Sequence, residues 1–120
     1  MTLVLIVEDN EMNRDMLSRR LERQGFDVVT AVDGPSGIAA ARDRQPDVIL
    51  MDVALGAMDG WEATRIIKAD EATTHIPVIA LTAHALESDR RESIAAGCCD
   101  FETKPIDLPR LVEKLKLHTN

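Results

Sequence analysis

No run of apolar residues in this sequence approaches the roughly 20 that a membrane-spanning helix needs, which excludes such a helix. No block of lysine and arginine is present, and the formal net charge is -7. Both facts argue against direct binding to nucleic acid or to an anionic membrane. The first residues, Met1-Thr2-Leu3, lack the basic segment of a secretory signal. Only two cysteines occur, Cys98 and Cys99, and they are neighbours. Neighbours cannot staple distant parts of a chain, and two thiols do not make a zinc site. They read as reduced thiols in a cytoplasmic protein. Long repeats and low-complexity linkers are also missing.

What remains is a chain of 120 residues, 45% hydrophobic and 29% charged, the balance of a globular domain. One domain over residues 1–120 is expected, with no output domain of its own. The most telling stretch is Asp47-Val48-Ile49-Leu50-Met51-Asp52. Its continuous apolar residues predict a buried strand that ends abruptly in a carboxylate. Gly56, Asp59 and Gly60 mark the loop beyond it.

The same pattern recurs along the chain. Leu3 to Val7 reads as an apolar strand ending in Glu8-Asp9. Asn10 caps a helix expected over 11–24, with Met16, Leu17, Leu21 and Asn13 on its buried face. Gly25 stops it. Residues 27–31 form a short strand, and Gly34-Pro35 opens a helix to 45, blocked by Pro46. A helix over 60–69 buries Trp61, Ile66 and Ile67. Residues 78–81 form a fourth strand that ends in Thr82, and 85–96 a helix with a weak apolar face, closed by Gly97. Residues 100–103 form a fifth strand, followed by Lys104-Pro105. Asp107 caps a last helix carrying Leu108, Leu111, Val112 and Leu115.

Five alternating strands and helices, with continuous apolar strands, predict a parallel sheet covered on both faces. The best fit is an α/β flavodoxin-like (βα)5 sandwich with strand order 2-1-3-4-5, because the first, third and fourth strands are the most apolar. Ligands of such sheets sit beyond the carboxyl ends of the strands. There this chain places Glu8 and Asp9, Asp52, Thr82 and Lys104. Each has a plain explanation by itself: helix-dipole acids, a strand-end cap, a solvated lysine. Their joint occurrence at one sheet edge is what points to chemistry. Crowded carboxylates repel, so at least one should titrate above its ordinary value without a cation. An oxygen-only donor set suits Mg²⁺, held by Glu8 and Asp9. Asp52 is then placed to be the nucleophile of phosphoryl transfer, with Thr82 and Lys104 on the phosphoryl oxygens.

The carriers Leu5-Ile6-Val7-Glu8-Asp9-Asn10, Ile49-Leu50-Met51-Asp52, Met58-Asp59-Gly60, Ile76-Pro77-Val78-Ile79-Ala80-Leu81-Thr82-Ala83 and Lys104-Pro105-Ile106 together resemble the response-regulator receiver domain of two-component signalling. Asn10 with Asn13 resembles the receivers of hybrid histidine kinases and stand-alone regulators of the DivK type. The resemblance implies phosphorylation of Asp52 by a histidine kinase or histidine phosphotransfer protein. It implies Mg²⁺ on Asp9, Asp52 and the backbone carbonyl of Ala54, assisted by Glu8. It further implies a cis bond before Pro105, and Thr82 with Phe101 as a switch. Output would then pass to a protein partner through the face made by the fourth helix, fifth strand and fifth helix.

Three departures stand out. Gly56 replaces a common proline. Phe101 has no phenol hydroxyl, so packing alone is expected to set its position. Trp61 replaces a smaller aliphatic residue and is expected to be a partly buried packing residue. Ala54 offers nothing polar to orient a water attacking the phosphoryl group, and His84, two residues past Thr82, is placed to hinder or hydrogen-bond it; both are expected to tune phosphoryl lifetime. A rival reading is a small phosphohydrolase of the haloacid-dehalogenase type, which also uses a strand-end Asp, a Thr and a Lys. That chemistry normally needs a second acid where this chain has Ala54. A nucleotide or flavin binder would need a Gly-rich cradle where this chain has Glu8-Asp9.

Overall fold

Five strands and five helices alternate along the chain in the computed structural model, which describes residues 2–83 and 86–119. They are β1 (Leu3–Val7), α1 (Glu11–Arg23), β2 (Asp27–Ala31), α2 (Gly34–Arg44), β3 (Val48–Asp52), α3 (Gly60–Ala69), β4 (Val78–Thr82), α4 (Glu87–Ala96), β5 (Asp100–Thr103) and α5 (Leu108–Thr119). All strand pairs are parallel and the order is β2-β1-β3-β4-β5. This is the doubly wound arrangement expected from the three most apolar strands occupying the centre.

Alternation within each strand builds two cores at once, because successive side chains point to opposite faces. Leu5, Val7, Ile49, Met51, Val78 and Ala80 face one way and pack with Ala41 of α2 and Ala63 and Ile67 of α3. Val4, Ile6, Val48, Leu50, Ile79 and Leu81 face the other way and meet Leu17 and Leu21 of α1 and Leu111, Val112 and Leu115 of α5. Each fully buried Leu or Ile contributes roughly 1.5–3 kcal/mol from removal of apolar surface from water.

Local chemistry sets the helix starts. The Asn10 carboxamide accepts from the Asn13 N–H at 3.0 Å. Asp33 and Ser36 form a capping box. Asp59 accepts from the Glu62 N–H at 2.8 Å, and Asp107 from the Arg110 N–H at 3.1 Å. Helix α4 has no side-chain cap and buries only Ser93 and Ala96. It is therefore the helix with least holding it to the sheet, as its weak apolar face predicts. Its C-cap Gly97 has φ 107°, a conformation that strains any residue with a Cβ.

Three expected burials are corrected. Met16 is 48% exposed and Asn13 is also exposed, because α1 touches the sheet through a narrow stripe centred on Leu17 and Leu21. Ile66 is exposed because its neighbour Ile67 takes the core-facing position. The expected start of α4 at Ala85 lies outside the described residues. Among the described residues no helix is long and apolar enough to cross a membrane.

Candidate functional site

The carboxyl ends of β1, β3 and β4 and the loop after β5 meet at one edge of the sheet. Glu8 follows β1 and Asp52 ends β3; both are 3% exposed. Lys104, just past β5, reaches between them. Its Nζ lies 3.1 Å from Glu8 Oε1 and 3.1 Å from Asp52 Oδ2. The second Asp52 oxygen, Oδ1, accepts the Ala54 N–H at 3.0 Å. Thr82 ends β4, is buried, and its carbonyl accepts the Lys104 N–H at 2.7 Å. The Lys104–Pro105 bond is cis. Asp9 is exposed at the rim, yet one oxygen from each of Glu8, Asp9 and Asp52 lies within 4.8 Å of the others.

Asp59 and Gly60 explain how the β3–α3 loop is held. Asp59 caps α3, and Gly60 donates its N–H to the Val53 carbonyl at 3.2 Å. A Cβ on Gly60 would sit 2.2 Å from the Asp52 carbonyl oxygen and 2.7 Å from Val53 Cα. The start of α3 thus lies directly on the backbone of Asp52, and only glycine permits that approach. In the sequence Gly60 read as a loop signal, a helix start and part of the Met58-Asp59-Gly60 motif; its close approach to the Asp52 backbone was not legible there.

Electrostatics separate the two buried acids. Burial and the neighbouring Asp52 carboxylate push Glu8 up to about 7, with Lys104 offsetting part of the rise. Burial also works against a charge on Asp52. There, the hydrogen bond with Glu8, the Ala54 N–H and Lys104 outweigh it and hold the carboxyl below its ordinary value. Burial likewise opposes the charge on Lys104, but Asp52 and Glu8 outweigh it and raise the ammonium. Near neutrality Glu8 is therefore about half protonated while Asp52 is ionised, so one acid of the cluster titrates above its ordinary value, as expected.

A pH dependence follows. Glu8 has a folded value near 7 against 4.5 for the free side chain. The folded state thus binds more protons between those values, and stability falls as pH rises from about 4.5 to 7. Asp52 acts oppositely, contributing stability that is lost only as pH drops below its ordinary 3.8. Glu8→Gln should raise the stability of the metal-free protein at pH 8 by about 1–3 kcal/mol, since it removes an imperfectly compensated buried charge. The gain should vanish near pH 4.5. Urea unfolding at the two pH values, in the presence of a chelator, checks it.

The donor set is three carboxylates with no nitrogen or sulfur ligand, which fits a hard divalent cation. Of the other expected site residues, His84 lies outside the described residues. Ala54 is exposed beside Asp52, and Phe101 is half-buried on β5, away from the acids. Trp61 is half-buried and donates its indole N–H to Ser93 Oγ of α4 at 3.1 Å. Away from this site, His118 of α5 lies 3.1 Å from Asp100 of β5. Burial pushes the Cys98 thiol up to about 11 and raises Cys99 as well, which favours the thiol over the thiolate at both.

Sequence reasoning missed two features. Glu102, on β5, is buried and clamped by Arg110 at 2.6 Å and Lys114 at 3.1 Å. Phe101 lies under two cations, described below. The Glu102 pairing could have been suspected from an acid in a strand followed eight residues later by an arginine; the Phe101 contacts had no signal in the sequence.

Residues 4–116 match the family model of the response regulator receiver domain. The polar-differentiation response regulator DivK of Brucella ovis is 40% identical over 113 residues, covering 94% of this chain and 92% of that protein. The receiver domain of the sensor histidine kinase PA1611 from Pseudomonas aeruginosa, solved with a magnesium ion coordinated in its active-site cleft, superposes with a TM-score of 0.91 at 36% identity, covering 98% of this chain and 97% of that one. A chain of the co-crystal of the Saccharomyces cerevisiae histidine phosphotransfer protein Ypd1 with the receiver domain of Ssk1 superposes at 0.91, with 28% identity, covering 98% and 88%. Nothing in these matches favours a haloacid-dehalogenase phosphohydrolase, and Ala54 occupies the position where that chemistry needs its second acid. The chain belongs to the response regulator receiver family of two-component signalling.

Proposed function

We propose that this receiver takes its phosphoryl group on Asp52, from a phosphohistidine on a histidine kinase or histidine phosphotransfer protein. The observation that carries the reading is the state of Asp52. It is a buried, ionised carboxylate at a strand end, with one oxygen held by the Ala54 N–H and the other by Lys104. Both contacts fix the direction of the nucleophile's lone pairs, and positioning supplies much of the acceleration in phosphoryl transfer.

Glu8, Asp9, Asp52 and the Ala54 carbonyl would hold Mg²⁺. A bound Mg²⁺ neutralises charge on the transferring phosphoryl oxygens. Asp52 attacks phosphorus through one carboxylate oxygen, the bond from phosphorus to the donor nitrogen breaks, and the electron pair leaves with the imidazole. Lys104 moves from pairing with carboxylates to pairing with a phosphoryl oxygen. The Thr82 hydroxyl donates to another, and this draws it toward Asp52. Ala54 brings no polar side chain to orient a hydrolytic water, which favours a long-lived aspartyl phosphate. The α4–β5–α5 face, whose least anchored element is α4, then presents the changed shape to a protein partner. The surroundings of such a receiver are cytoplasmic.

The test is incubation with Mg²⁺ and a small phosphodonor, read by intact mass. One phosphoryl group per chain is expected, and none in the presence of a chelator. Chelator-independent labelling would contradict the metal assignment, and no labelling from any donor would contradict the reading as a whole.

A further inference from the structure

Phe101 was expected to be positioned by packing alone. The structure shows two cations over its ring, one from each flanking helix. Arg90 of α4 has its guanidinium carbon 6.0 Å from the ring centroid, and Lys114 of α5 has its Nζ at 5.6 Å. Both fall within the range in which a cation is attracted to the negative face of an aromatic ring.

Lys114 is not a loose surface lysine. Its ammonium donates to the carbonyl of Phe101 itself at 2.5 Å. It also lies 3.1 Å from Glu102 Oε2 and 3.3 Å from Asp100 Oδ1. Three anchors on consecutive residues of β5 pin the charge. A pinned charge cannot follow the ring if the ring turns away, so rotation of Phe101 forfeits the contact. The ring's other neighbours are core residues on the α3 side of the sheet, against which it is only partly buried. On β4 its register partner is Ala80, a small residue two places before Thr82. Thr82 projects from the same face of β4 as Ala80, so its movement toward Asp52 would alter the face of the sheet on which the ring lies.

We infer that Arg90 and Lys114 form a cation clamp that holds Phe101 in its half-exposed position in the unphosphorylated receiver, taking the place of the hydroxyl this residue lacks and setting how readily the receiver switches. The inference rests on the proposed phosphorylation of Asp52. Arg90 and Lys114 are positioning residues: their contacts are with β5, not with Glu8, Asp9 or Asp52. A contact that exists in one state and is lost in the other biases the equilibrium by its full strength. At an exposed site that is about a two- to fivefold shift for each cation.

The experiment titrates the protein with Mg²⁺ and beryllofluoride, a phosphoryl mimic, and follows the amide resonances of residues 99–103 and the Phe101 ring by NMR. Arg90→Met and Lys114→Met are each expected to bind the mimic about two- to fivefold more tightly than wild type. The direction is diagnostic, since removing a positive charge would by charge alone weaken binding of an anion. In a Phe101→Leu background, which has no ring, Arg90→Met is expected not to tighten binding. Arg90 is at the surface, so its variant decides the matter even if Lys114→Met, which leaves Glu102 with Arg110 alone, fails to fold. Unchanged or weaker binding by Arg90→Met, or tightening that persists without the ring, overturns the clamp. Failure of the wild type to bind the mimic at all would overturn the phosphoacceptor reading, and the clamp with it.

Discussion

Asp52→Asn is expected to abolish phosphoryl incorporation, lowering the rate by at least roughly a thousandfold, as loss of a nucleophile does. The substitution keeps the shape of the side chain and an oxygen to accept the Ala54 N–H. It removes the negative charge that makes the group a nucleophile, so the effect falls on chemistry rather than on folding. Removing that charge also relieves Glu8, whose proton affinity is raised partly by Asp52. That relief offsets the loss of what the ionised Asp52 draws from Lys104 and the Ala54 N–H, so the variant should remain folded at neutral pH while incorporating nothing. Combined stability and labelling measurements separate the two effects. A variant that is well folded and still labelled would move the acceptor to another residue.

Gly60→Ala is expected to cause the largest loss of stability among conservative changes near the site. The added methyl would lie 2.2 Å from the Asp52 carbonyl oxygen and 2.7 Å from Val53 Cα. Both neighbours are backbone, so relief requires α3 to withdraw from the end of β3. Overpacking of this kind costs about 2–4 kcal/mol, or roughly a 10 °C fall in melting temperature for a domain of this size. Because the displaced backbone belongs to Asp52, labelling should slow as well. Gly56→Ala, in the same loop, meets nothing within 4 Å and should change stability by less than about 0.5 kcal/mol. Thermal melts of the two variants side by side test the difference. Equal effects would show that the contact between α3 and β3 does not constrain the loop.

The strands and their order were legible because continuous apolar runs can be buried only in the middle of a doubly covered sheet. The site was legible for a related reason. A carboxylate, hydroxyl or lysine that ends such a run must lie at the sheet's carboxyl edge, and one edge collects Glu8, Asp52, Thr82 and Lys104. Helix faces were less legible: Ile66 and Ile67 are adjacent and equally apolar, and only the placement of α3 decides that Ile67 is buried and Ile66 is not. The same holds for Met16 on α1. The division of labour between the acids also needed the structure. Spacing alone does not separate Glu8 from Asp9, and only the family resemblance did; in the fold Glu8 is buried on Lys104 and Asp9 stands at the rim. The cations over Phe101 come from positions 11 residues before and 13 after it, on helices whose rotation no local pattern specifies.

The most direct test of the central claim is to locate the phosphoryl group. The protein, with Mg²⁺ and a phosphohistidine donor, would be trapped with borohydride, digested and mapped by mass spectrometry. The expected result is a single modified residue, Asp52, in wild type, with no modified peptide when the metal is chelated. Modification at Glu8, Asp9 or a histidine, with Asp52 intact, would contradict the account.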